Sequence, residues 1–144
     1  MCESAARSGT LSPRFLLDTH IIVRWLNTPK KLSREQTRVL SDAVRRSEPL
    51  GVSAMTLLEI ALLFGSGAAR SDVRAGELLG DLESNPAIEI VPFTLDVAAE
   101  VAVLGPSLRD PGDRAIVATA RVRRLHLLTS DQRIIESGLV PVVS

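Results

Sequence analysis

The chain has 144 residues, a length that suits one domain, and a globular chain of this size buries roughly 70% of the surface that its unfolded form exposes. Seventeen basic and seventeen acidic residues leave no net charge, which excludes a uniformly basic nucleic-acid-coating protein, and 45% apolar content excludes a disordered one. Three phenylalanines, one tryptophan and no tyrosine argue against surfaces that stack bases on exposed rings, and the single cysteine, Cys2, excludes an internal disulfide, a cysteine-based zinc cluster and a redox pair.

Residues 1–13 read as a polar, frayed extension without the apolar stretch of a secretory signal, and residues 14–144 read as one domain. The first apolar run, Phe15-Leu16-Leu17, is short and bounded by Pro13 and Asp18, as a buried strand would be, and HIIVRWL after it reads as a helix. After the break at Asn27-Thr28-Pro29, Ser33 is a candidate N-cap for a surface helix that puts Val39, Ala43 and Val44 on one face. Leu50-Gly51-Val52 is a second strand, and Ser53 can cap an apolar helix reaching Phe64, where Gly65 and Gly67 stop it. That run, AMTLLEIALLF, is interrupted by Glu59 and is too short to cross a bilayer, so no membrane partner is expected and a cytoplasmic location fits. A further surface helix with Ser71 or Asp72 as N-cap carries apolar residues at 75, 78, 79 and 82. Ile88 to Val91 is a third strand, TLDVAAEVAVL a helix stopped by Gly105-Pro106, and SLRDPG a loop. There follow a helix from Asp113, a strand His126 to Thr129, a short helix after Asp131 and a last strand Val140 to Val143. This alternation predicts an α/β fold with a central, mainly parallel sheet of about five strands flanked by helices.

In an open parallel sheet, ligands bind beyond the carboxyl ends of the strands. Asp18 follows the first strand and Asp131 the fourth, so both point to one end. Asp113 opens the helix leading into that fourth strand, and the Pro111-Gly112 pair is read as a turn that brings Asp110 near it. Glu59 has Met55, Thr56, Leu62 and Leu63 as its helical neighbours and is expected on a mostly buried face, where an ionised carboxylate needs a cation, a donor or a raised pKa. Taken singly, the aspartates could be helix caps, and Glu59 half of a buried ion pair with an arginine. Taken together, clustered carboxylates repel one another unless a divalent cation sits among them. All-oxygen ligation suits Mg2+ or Mn2+, and a metal-bound water suits phosphodiester hydrolysis.

The series LLDTH, an apolar helix with Glu59, RDPGDR and LLTSD resembles PIN-domain ribonucleases, most closely the VapC-type toxins of bacterial toxin-antitoxin pairs, from about Phe15 to the C-terminus. The resemblance implies a metal-dependent endoribonuclease in which Asp18, Glu59, Asp113 and Asp131 bind Mg2+ or Mn2+ and activate water, with Asp110 supporting the loop or a second metal. It further implies that Thr19 and Thr129 orient carboxylates and that Arg114 pairs with an acid or contacts RNA. It brings three partners: an RNA substrate, a cognate antitoxin covering the acidic groove and packing on apolar helices, and a second copy in a homodimer. The helices around Glu59 and from Ser71 to Ser84 are the candidate surfaces for the protein partners. Gly112 departs from the family, which often has a bulky apolar or aromatic residue there.

The alternatives fare worse. A phosphate-accepting receiver needs a lysine after a late strand, and the only lysines are Lys30 and Lys31; Asp18-Thr19-His20 lacks the second acid of an Asp-x-Asp phosphatase. Gly65-Ser66-Gly67-Ala68-Ala69-Arg70 follows a helix rather than a strand, against a dinucleotide loop. His20 and His126 read as packing or surface residues, and Arg121, Arg123 and Arg124 as a solvated helix end. A non-catalytic RNA-binding or regulatory module of the same fold is the competing reading, and metal dependence separates the two. The neutral total also hides segregation: nine basic and four acidic residues fall in 1–46, two and nine in 47–108, six and four in 109–144.

Overall fold

The computed structural model describes residues 12–65 and 74–144. Five parallel strands, β1 (Phe15–Leu17), β2 (Leu50–Ser53), β3 (Ile88–Val91), β4 (His126–Leu128) and β5 (Val142–Val143), form one sheet in the order β3-β2-β1-β4-β5. β1 is central, aligned through Leu17 with Val52 on one side and Leu128 on the other. Leu16 and Leu17 are both fully buried because successive side chains enter cores on opposite faces. One core joins Leu17 and Leu128 to helices α1 (Thr19–Asn27), α2 (Arg34–Arg45), α3 (Ala54–Phe64) and α4 (Ala75–Ser84), through Ile21, Leu40, Ile60 and Leu78. The other joins Leu16 and Leu127 to α5 (Leu95–Val103), α6 (Pro111–Arg123) and α7 (Gln132–Ser137), through Val97, Ile116 and Ile134. The expected architecture is therefore present, with every strand pair parallel.

Local chemistry fixes the helix starts. Ser33 caps α2 in a capping box with Gln36, and Ser53 caps α3 through the Met55 N–H. The most informative difference lies at α6, which starts at Pro111, two residues before the expected Asp113. Pro111 and Gly112 do not make a turn. Asp110 is the N-cap, accepting from the Asp113 N–H at 3.0 Å, and Pro111 is the first helical residue, where its missing N–H costs nothing. Val44, expected inside with Val39 and Ala43, is 49% exposed, since it lies one step round the helix from them. The last strand is shorter than expected, Val142–Val143 only. α4 begins at Ala75 with Arg74 as its cap residue and no side-chain cap bond. The caps proposed at Ser71 and Asp72, the stop at Gly67 and nearly all of the polar extension fall outside the described residues. No helix among those described is long and apolar enough to cross a membrane.

Candidate active site

Two hydroxyls organise the carboxyl end of the sheet. Thr129, fully buried just after β4, donates from Oγ1 to Asp18 Oδ2 at 2.7 Å and accepts from the Asp131 N–H at 3.0 Å, tying together the acids that follow β1 and β4. Asp18, only 6% exposed, also accepts the Thr19 N–H at Oδ1, 2.8 Å away. Thr19 donates to Glu59 Oε1 at 2.5 Å and lies 3.0 Å from Thr56 Oγ1; because its one proton goes to Glu59, Thr56 is the donor to Thr19. The capping and site readings of Asp18 and Asp131 thus hold together: each carboxylate caps the helix that follows it and still faces its acidic neighbours.

The energetics follow from this crowding. Burial raises the Asp18 carboxyl above its ordinary value, with partial relief from Thr129 and Thr19. Glu59 is raised by burial and by the charges of Asp18 and Asp110, against the Thr19 hydrogen bond. Asp113 is pushed up to about 7 by burial, then by Asp110, Asp18 and Asp131 in turn. Asp131 alone moves down, because Arg133 donates to it from Nε (3.3 Å) and Nη2 (3.1 Å). Asp18, just after β1, therefore feels Asp131, just after β4, and its own charge reaches both Glu59 of α3 and Asp113 of α6.

Several expectations are corrected. Among the described residues Arg114 pairs with no acid. Its guanidinium donates to the carbonyls of Val101 (2.7 Å), Gly105 (2.6 Å) and Leu108 (2.6 Å), closing the end of α5 and the loop to α6. An arginine with three orphan carbonyls in reach fills a structural need before a functional one. Glu59 has no arginine partner among the described residues, and its helix is not mostly buried: Thr56 and Ile60 are inside, but Leu62 is 69% exposed and Leu58 and Leu63 are exposed as well. Three contributors escape a sequence reading. Thr56 could be found as the polar residue one turn before Glu59. Arg133 could be found as the basic residue two after Asp131. Gln36, fully buried, donates from Nε2 to the Thr129 carbonyl (3.3 Å), Ser130 Oγ (3.2 Å) and the Val143 carbonyl (3.3 Å), and only the assembled fold reveals it.

Gly112 explains itself in the structure. A Cβ built there would run into Glu59 Oε2, lie 2.9 Å from Glu59 Cδ and 3.2 Å from Asp110 Oδ2. The bare Cα is what lets the α3 carboxylate approach the start of α6.

The donor set fits a hard divalent cation: every candidate ligand is a carboxylate oxygen, and burial and mutual repulsion raise three of the four, a cost that a cation relieves. No three acidic, histidine or cysteine side chains among the described residues stand close enough to enclose an ion. The arrangement suits an ion that keeps much of its water and takes one or two carboxylates directly.

Comparison with known proteins bears on the family and the fold. The PIN domain family profile matches residues 15–138. Ribonuclease VapC22 of Mycobacterium tuberculosis (strain ATCC 25618 / H37Rv) is 31% identical over 120 residues, covering 83% of this chain and 88% of that protein. Among solved structures, VapBC2 from Rickettsia felis bound to a promoter DNA fragment superposes with a TM-score of 0.67 at 17% identity, over 90% of this chain and 96% of that one. FitAcB from Neisseria gonorrhoeae gives 0.67 at 24% identity over the same shares. At these identities, the structural likenesses speak for the fold alone.

Proposed function

The chain belongs to the PIN-domain family, and we propose that it is the ribonuclease toxin of a toxin-antitoxin pair, a Mg2+- or Mn2+-dependent endoribonuclease working at the acidic end of its sheet. The observation that carries the reading is the convergence of Asp18, Glu59, Asp113 and Asp131 from four separate elements, three of them held above their ordinary pKa by burial and one another's charge. One or two of these four would hold the metal directly and the others through its water, with Asp110 behind them at the cap of α6. A bound divalent ion would supply a water that ionises near neutral pH and would offset charge on the phosphate.

The chain's own groups set the stage for that chemistry. Thr129 and the Thr19 N–H aim Asp18 by donating to one oxygen each, and they offset part of the burial that raises its pKa. The Thr56–Thr19 relay holds Glu59 by its Oε1 and leaves Oε2 turned toward Gly112. Asp113, pushed up to about 7 by burial and by its acidic neighbours, is the carboxyl whose ionisation a bound cation would favour most.

Toxin-antitoxin complexes recur among the solved structures of this fold, which supports an antitoxin partner here. Leu58, Leu62 and Leu63 on α3 offer an exposed apolar strip for the antitoxin or for a second copy in a homodimer. The reading also places the protein in the cytoplasm, where its RNA substrate is.

The deciding experiment uses purified protein, RNA and Mn2+ or Mg2+. Cleavage is expected with metal and not in EDTA, and Asp18→Asn or Asp113→Asn should lower it about a hundredfold or more while circular dichroism stays unchanged. Parental rates in both variants would remove the proposed site. Co-purification of a small protein encoded beside this one tests the partner; its failure, with no growth arrest by this protein alone, counts against the toxin role.

A further inference from the structure

Arg133 lies 3.1 Å from Asp131 Oδ2 and 4.0 Å from Asp113 Oδ2 through one and the same Nη2, while its Nε reaches Asp131 Oδ1 at 3.3 Å. Among the described residues it is the one arginine in ion-pair range of the four acids; Arg114 is committed to backbone carbonyls. His20, exposed, adds only a weaker field at Asp18 and Glu59. Arg133 thus forks Asp131 and stands at the outer edge of ion-pair range from Asp113, two of the proposed metal ligands. Its side chain is 75% exposed, so the guanidinium can leave for solvent without unpacking a core, and its backbone stays fixed by the 2.9 Å bond from its N–H to Asp131 Oδ1.

We propose that Arg133 is a built-in counter-ion of the acidic site, a positioning residue that a divalent cation must displace from Asp131 and Asp113, and that it thereby sets the metal concentration at which the site fills. The inference rests on the metal-site reading above. A doubly charged ion outbids a singly charged guanidinium for a carboxylate pair, but each ion that enters must first break a bidentate fork. The metal-free protein is thus held together at this end by its own arginine, and the site responds to metal over a higher concentration range than bare carboxylates would.

The test is binding of Mn2+ alone, without RNA, by titration calorimetry at pH 8 on the parent and on Arg133→Gln. The variant is expected to bind Mn2+ about two- to fivefold more tightly, the scale of an exposed ion pair. Its melting temperature should fall below the parent's in EDTA and match it in saturating Mn2+, a difference that a purely structural salt bridge would keep in both. Equal or weaker Mn2+ binding by Arg133→Gln, or a melting deficit that persists in Mn2+, overturns the inference while leaving the metal site standing. A parent that binds no Mn2+ overturns the metal site itself and this inference with it.

Discussion

At the amino end of the sheet, Arg14 meets Glu48 at 3.1 Å, and Arg121, near the end of α6, meets Glu100 at 2.6 Å and the Leu139 carbonyl at 2.6 Å. At the carboxyl end, among the described residues, one exposed arginine reaches two of the four acids, Asp131 and Asp113, and none reaches Asp18 or Glu59. The amino end also carries an open recess of about 560 Å³ between Arg121, Arg124, His126 and Pro141, so an opening does not mark the chemistry here. The difference lies in satisfaction of charge. One end pairs its charges and gains stability; the other leaves like charges together at a cost that only a further ligand removes.

The sharpest way to break that contrast is to disturb the crowded end without touching an acid. Gly112→Ala drives a methyl group into the Glu59 carboxylate, and it should weaken Mn2+ binding about 10- to 100-fold in calorimetry, the scale of misplacing a metal ligand. Unchanged affinity would mean that Glu59 does not take part. Arg114→Ala tests the opposite assignment, a residue close in sequence to the site but structural in place. Three carbonyls lose a charged donor, so stability should drop by about 2–3 kcal/mol, read as a melting temperature lower by roughly 6 °C, with Mn2+ affinity kept.

A smaller effect comes from pH. Asp113 has its folded pKa at about 7 against an ordinary 3.8, so the protonated form belongs to the more stable metal-free fold, and that stability is lost as pH rises from about 4 through 7. Asp18 and Glu59 push in the same direction, and Asp131, shifted down, opposes them only at acid pH. In EDTA, the protein should therefore melt lower at pH 8 than at pH 5, and Asp113→Asn should raise the pH 8 value by roughly 2–4 °C while removing activity. Scanning calorimetry with and without Mn2+ checks both. The smallest effect belongs to the other end: Arg121→Ala should cost about 1 kcal/mol or less and leave metal binding and cleavage as they are.

Much of the proposed site could be read because strand ends are short-range features. Asp18 and Asp131 each follow an apolar strand and open a helix, and the same few residues signal all three facts. Asp113 and Glu59 needed only helical spacing. What stayed hidden depends on contacts across the fold. Arg114 and Arg133 are alike in sequence, each one or two residues after a candidate acid, yet one turns to the carbonyls behind α5 and the other to the carboxylates. Gly112 stood out as a departure from the family, and only its distance to a glutamate more than fifty residues earlier gives the reason. Pro111 misled because Pro-Gly favours turns in isolation, whereas an aspartate just before it makes the pair a helix start. The exposure of Leu58, Leu62 and Leu63 on a helix of core-like composition reflects packing that no periodicity encodes.

The central position of β1 also has a consequence in time. Asp18 directly follows β1, the first described strand in chain order, yet its partner Thr129 lies 111 residues later and Asp131 later still. Until β4 has been made and has docked beside β1, the early acid has neither its hydroxyl donor nor its opposite carboxylate. On the proposed site, a chain truncated before β4 is expected to be inert, so activity would arise only after nearly all of the domain has been synthesised.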